Sequence, residues 1–239
     1  NTRIQAQNEA HKSMTKLIGS NSILLGLAGF LGSTIWGPLA SFFRQNGLAI
    51  GLGILSFVLL FKVGEAFMGK MSLIFYKEIG FSKSDIAIYS KGLGWITTVV
   101  FTLLGGFFAI RAGAVRALFL AGIAMAATNI MFSILAWTGK SEWIFAIAVL
   151  LDDIAAAFAT VAFVTFISLL VDRTYTATQY ALLASIGTIG RTTLAASSGA
   201  LVDGLGGDWG LFFVITAVMV LPSLGLLWVL RNKIQLNET

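Results

Sequence analysis

The 239-residue sequence predicts an all-α integral membrane protein, a bundle of six transmembrane helices. Three observations carry this. Hydrophobic residues make up 57% of the chain and charged residues only 11%, against about 25% charged in soluble domains, too few polar side chains to cover a water-soluble fold. The 26 glycines and 19 phenylalanines fit closely packed helices in lipid. Six apolar stretches reach the ~20 residues needed to cross the hydrocarbon core: Gly47 to Phe67, Gly92 to Ile110, Val115 to Trp137, Trp143 to Val171, Gln179 to Val202, and Trp209 to Leu230.

The chain divides into residues 1–45, a cytoplasmic linker with an interfacial or partly embedded helix, residues 46–231, the six spans, and a cytoplasmic tail, 232–239. The opening NTRIQAQNEAHKSMTK has neither an initiator methionine nor the basic-then-apolar layout of a signal peptide. It reads as the interior of a longer polypeptide, and His11 within it as a solvated tail residue. Next comes SILLGLAGFLGSTIWGPLASFF, whose apolar core from Ile23 to Leu31 is too short to cross. An interfacial or partly embedded helix is expected there, with a seventh span as the alternative.

The connections GKMSLIFYKEIGFSKSD, RAGAVR, TGKSE, DRTYTAT and DGLGGD hold the turn and charge signals. With six spans, one side carries Arg3, Lys12, Lys16, Arg44, Arg111, Arg116, Arg173, Arg231 and Lys233, and the other Lys70, Lys77, Lys83, Lys91 and Lys140. Nine against five puts both termini in the cytoplasm. The net charge of +5 is scattered between apolar blocks, so no nucleic-acid surface is expected. The chain has no cysteine, which excludes disulfides and thiolate chemistry. No H-E-x-x-H, no G-x-S-x-G and no histidine within a span occurs, so neither a metal site nor an enzyme is expected.

Five ionisable residues fall inside spans: Lys62, Glu65, Asp152, Asp153 and Arg191. Each costs about 2.5 to 3.5 kcal/mol at a helix centre facing lipid, so each is expected to face protein or a watery cavity. Lys62 and Glu65, three residues apart, share a helix face and can pair. Asp152 and Asp153 project about 100° apart, so at most one is expected to face a central cavity, while the other meets a neighbouring helix. Ser185, Thr188, Arg191 and Thr192 recur at spacings of three and four, while Gly187 and Gly190 keep that helix slim. The stripe suits an anionic or hydrogen-bonding solute, or, more plainly, hydrogen bonds between helices. Asp152 and Asp153 are the possible partners of Arg191.

These residues carry a resemblance. FKVGEAF (Phe61 to Phe67), GGFFAIRAGAVR (Gly105 to Arg116) and TATQYALLASIGTIGR (Thr176 to Arg191) resemble the C-terminal half of AmpG-like muropeptide permeases of the major facilitator superfamily, in the same order over about Pro38 to Arg231. The resemblance implies half of a two-part transporter that imports anhydromuropeptides across the bacterial inner membrane by proton symport. It needs no cofactor beyond the proton gradient, and its partners are the solute, the bilayer and an N-terminal six-helix half. Arg191, Thr188, Ser185, Gln179 and Tyr180 are then expected at the solute, Asp152, Asp153, Glu65 and Lys62 at the coupling proton, and Gly105, Gly106, Arg111 and Arg116 in a gating loop. The aspartates are better coupling candidates than Glu65, which has Lys62 three residues away. The chain departs from the pattern at Asp152 and Asp153 followed by IAAAFATVAF, where an acid, an asparagine and a glycine-rich run are expected. Another solute in the same architecture, acetyl-CoA-like or drug-like, and a non-transporting scaffold are the alternatives.

Overall fold

The computed structural model describes residues 36–92, 94–171 and 176–234. The apolar core of the expected interfacial helix, Ile23 to Leu31, lies outside them. The first α-helix among the described residues is α1 (Gly37–Asn46), with Pro38 in its first turn, where a missing N–H costs nothing.

The first span is longer than its apolar run. It is α2 (Leu48–Leu60) and α3 (Val63–Ile79), together 32 residues, broken at Phe61 and Lys62. The segment from Gly69 to Ile79, expected as connection because it holds Lys70, Lys77 and Glu78, is helical. These three side chains are exposed on a helix that outruns the hydrocarbon, where charge is not penalised. Gly80, at φ 99°, ends the helix in the left-handed conformation. Ser82 then starts α4 (Lys83–Ile86) with a reciprocal box: its Oγ accepts from Asp85 N, and its own N–H donates to Asp85 Oδ2. A π-helical stretch (Ala87–Gly92) leads into α5 (Gly94–Ala112).

Gly113, at φ 88°, turns the chain into α6 (Ala114–Thr138), and α7 (Glu142–Leu170) comes next. The fifth span is α8 (Thr176–Ala195) plus the short α9 (Ser198–Gly204), and the sixth is α10 (Trp209–Val218) plus α11 (Leu221–Leu230), broken just before Pro222. Five of the six stretches are long and apolar enough to cross a membrane, and the fifth is a more polar helix. The chain is thus all-α and built for the bilayer.

α7 packs along both α5 and α6, α6 along α10, the sixth span along the first, and α8 along α2 and α3. Two apolar clusters fill the bundle. One gathers Phe57, Phe61, Met125, Ala159, Phe166 and Leu227. The other gathers Phe67, Phe75, Phe132, Phe145, Trp209 and Phe213.

Candidate functional site

The two clusters meet at a polar layer. Along the first span, membership changes from Phe61 to Val63, with Lys62 between them; along α6 it changes between Met125 and Phe132, and along α7 between Val149 and Ala155. Thr128, Asn129, Asp152 and Asp153 fall in those gaps. On α8, Thr188 and Arg191 lie between Leu183 of one cluster and Ala195 of the other. The sixth span places Thr216 and Ser223, both 0% exposed, between Phe213 and Leu227.

Lys62 stands at the break of the first span with φ −101° and ψ 11°, outside helical geometry. Its Nζ lies 3.1 Å from Glu65 Oε2, as the spacing predicts, and donates to Thr160 Oγ1 of α7 at 2.7 Å. Thr160 Oγ1 donates its own hydrogen bond to Ala156 O at 2.7 Å, which leaves a lone pair to accept from the ammonium. The ammonium therefore ties the broken helix to the fourth span. Gly64 makes the break compact: a Cβ there would lie 2.6 Å from Thr216 O, so the first and sixth spans touch backbone to backbone.

Both aspartates turn to neighbouring helices. Asp152 Oδ1 accepts from Thr128 Oγ1 of α6 at 3.0 Å. Asp153 points the other way, towards α5, where its Oδ2 would lie 2.8 Å from a Cβ on Gly94. That oxygen is buried and takes no hydrogen bond among the described residues. The roughly 100° between adjacent helix positions lets the two carboxyls meet two different neighbours. Asp152 also stands within electrostatic reach of Glu65 and Asp153. Three carboxyls and one ammonium thus share the layer, with Asn129, 2% exposed, adding an amide nitrogen that has no partner among the described residues.

Arg191 does not join them. It is exposed and forms no ion pair among the described residues, so neither aspartate is its partner. Its helix explains why: Gly190 faces Leu59, where a Cβ would meet Leu59 O at 3.1 Å, and Gly187 faces Val58 and Phe163 at 3.4 Å. The glycine face binds α2 and α7, and the stripe Ser185, Thr188, Arg191 and Thr192 lies exposed. Thr188 Oγ1 donates to Ala184 O at 2.9 Å, a bond within its own helix. Gln179 is 2% exposed and donates to Pro38 O at 2.9 Å, so its amide is occupied in fastening α8 to α1. Tyr180 packs against the first cluster. Gly105 and Gly106 lie within α5, facing Phe158 and Val161 of α7, rather than in a loop. Arg111 ends that helix, stacked 4.6 Å over Phe107, and Arg116 begins α6 beyond the turn.

Thr128, Asn129 and Thr160 were not singled out by sequence reasoning. The pair Thr128 and Asn129 did leave a signal, two adjacent polar residues midway along a mostly apolar helix.

Fold and layer together define a multi-pass helical membrane protein with a charged seam across its middle. No family model matches the chain. Whole-chain comparison does find relatives. It is 35% identical over 202 residues, 84% of its length and 48% of the relative's, to the protein named transporter AmpG 4 in Rickettsia conorii. It is 34% identical over 197 residues, 82% of its length and 46% of the relative's, to the AmpG 4 protein of Rickettsia felis. It is 30% identical over 199 residues, 83% of its length and 40% of the relative's, to the anhydromuropeptide permease of Escherichia coli K12. The chain is therefore homologous to the AmpG-like permeases, as its motifs indicate, and spans about half the length of these relatives.

Proposed function

We propose that this chain is the C-terminal six-helix half of a major facilitator transporter that imports anhydromuropeptides across the bacterial inner membrane by proton symport. The observation that carries the reading is the similarity to a permease named for that solute over 83% of the chain. Both termini of the segment lie in the cytoplasm. The partner is a second six-helix half, which covers exposed apolar residues such as Trp95, Val99 and Leu103 on α5. Ser185, Thr188 and Arg191 form the solute-facing stripe, with the guanidinium meeting the carboxylates of the peptide stem.

Proton coupling falls to Asp152 or Asp153. Glu65 has its ammonium 3.1 Å away. Asp152 has only a hydroxyl donor, and one oxygen of Asp153 has none among the described residues. A carboxyl without a cation can change protonation as the bundle rearranges, which an ion-paired one resists. The turn of Arg111 and Arg116, with Gly105 and Gly106 behind it, serves as the gate.

The test is uptake of labelled anhydromuropeptide into vesicles bearing the transporter that contains this chain. Wild type is expected to accumulate solute under an inward proton gradient. Asp152→Asn or Asp153→Asn is expected to abolish accumulation while exchange of solute persists. Accumulation by both variants at the wild-type level refutes the coupling assignment, and absence of uptake by wild type refutes the solute. The second aspartate, where the family pattern expects asparagine, favours one other reading, a different anionic solute in the same architecture; competition by acetyl-CoA in the same vesicles discriminates it.

A further inference from the structure

The turn between α5 and α6 and the end of α11 form the walls of one open groove of about 1390 Å³. Three arginines converge there, Arg111, Arg116 and Arg231, and no acidic residue among the described ones lines it. None of the three forms an ion pair among the described residues. Two are held by aromatic rings: Arg111 lies 4.6 Å from the centre of Phe107, and Arg231 lies 3.2 Å from that of Trp228. Stacking fixes the plane of a guanidinium and leaves its N–H edge for an anion. From the arginines the groove continues along α6, past Leu120 and Ile123, 49% and 55% exposed. It is therefore cationic at the end of the helices and apolar along α6, the polarity of a phospholipid. Trp228, 58% exposed, sits where an aromatic ring marks the membrane interface.

A cytoplasmic excess of basic residues accounts for arginines on this side of the membrane. It does not account for convergence: Arg116 and Arg231 come from distant parts of the chain into one groove that no carboxylate among the described residues lines. We propose that this groove binds an anionic phospholipid, with the headgroup phosphate held by Arg111, Arg116 and Arg231 and an acyl chain lying on α6. Planar guanidinium groups suit phosphate through paired N–H···O bonds. The lipid then braces the α5–α6 turn against the end of α11. The site does not depend on which solute is carried, and a failed uptake assay leaves it standing.

The test is native mass spectrometry of the purified protein in mild detergent, titrated separately with cardiolipin, phosphatidylglycerol, phosphatidylcholine and inorganic phosphate. Wild type is expected to retain cardiolipin or phosphatidylglycerol as a discrete bound molecule and to retain phosphatidylcholine far less. The triple variant R111Q/R116Q/R231Q is expected to lose about fivefold in affinity per arginine, on the order of a hundredfold in all. The charge-preserving variant R111K/R116K/R231K keeps the topology signal and is expected to bind with intermediate affinity. If the glutamine variant fails to fold, the lysine variant and the single variant R231Q carry the comparison. Equal retention of anionic lipid by wild type and these variants overturns the proposal. So does phosphate binding as tight as lipid binding, which makes the groove a free-anion site.

Discussion

Lys62 holds two neighbours with one ammonium, and both depend on it. Replacing it with methionine leaves Glu65 in the bundle without its counter-charge and Thr160 without its donor. Breaking a buried pair from one side costs 3–5 kcal/mol; with side chains 12% and 20% exposed, this pair belongs at the lower end, about 3 kcal/mol. Thermal unfolding of Lys62→Met in detergent is expected to show that loss, and adding Glu65→Gln is expected to restore most of it. A double variant as unstable as the single one would show that the lysine acts through Thr160 or through the helix break instead. The Lys62 and Glu65 contact was legible because three residues on a helix determine who meets whom. Thr160 was not, because 98 residues separate it from Lys62 and no local spacing encodes that contact. The contact of Gln179 was illegible for the same reason: Pro38, whose carbonyl accepts its amide proton, lies 141 residues earlier.

Among helices, closeness is decided by glycine. Gly64 lets the first span touch the carbonyl of Thr216, and backbone cannot step aside, whereas Gly106 would meet only Val161 Cγ1 at an ordinary 3.5 Å. Gly64→Ala is therefore expected to lose about 1–3 kcal/mol through overpacking, and Gly106→Ala to change stability by well under 1 kcal/mol. Thermal shifts of the two variants side by side check this, and equal shifts would mean that the first and sixth spans are free to separate. Five of the six stretches marked by hydropathy are helices long and apolar enough to cross a membrane. Hydropathy erred at their ends, most at Gly69 to Ile79, because an apolar window reports the hydrocarbon thickness and not the helix, which continues for as long as its backbone bonds are satisfied. The breaks in the first and fifth spans left no proline in the sequence to announce them, unlike the sixth, where Pro222 does.

For the molecule as a whole, the groove joins the α5–α6 turn to the end of α11, so these two chain segments lie at the same end of the bundle. The six-span reading of the sequence requires the same. This chain carries no cysteine of its own, which makes a direct check on it simple. Single cysteines at Ser84 and Lys233, both exposed, are expected to react with an impermeant maleimide from opposite sides: Ser84→Cys in intact spheroplasts and Lys233→Cys only after permeabilisation. Labelling of both from the same side would reverse the reading of span number. The polar layer also governs how the protein comes apart. Apolar packing is interrupted at one level across the bundle, so the halves on either side are expected to behave as separate cooperative units. Drawn from one end by an atomic force tip, the chain should yield in two force peaks at least, the rupture between them falling near Lys62 or Asp152, and hydrogen exchange should divide α7 at the same height.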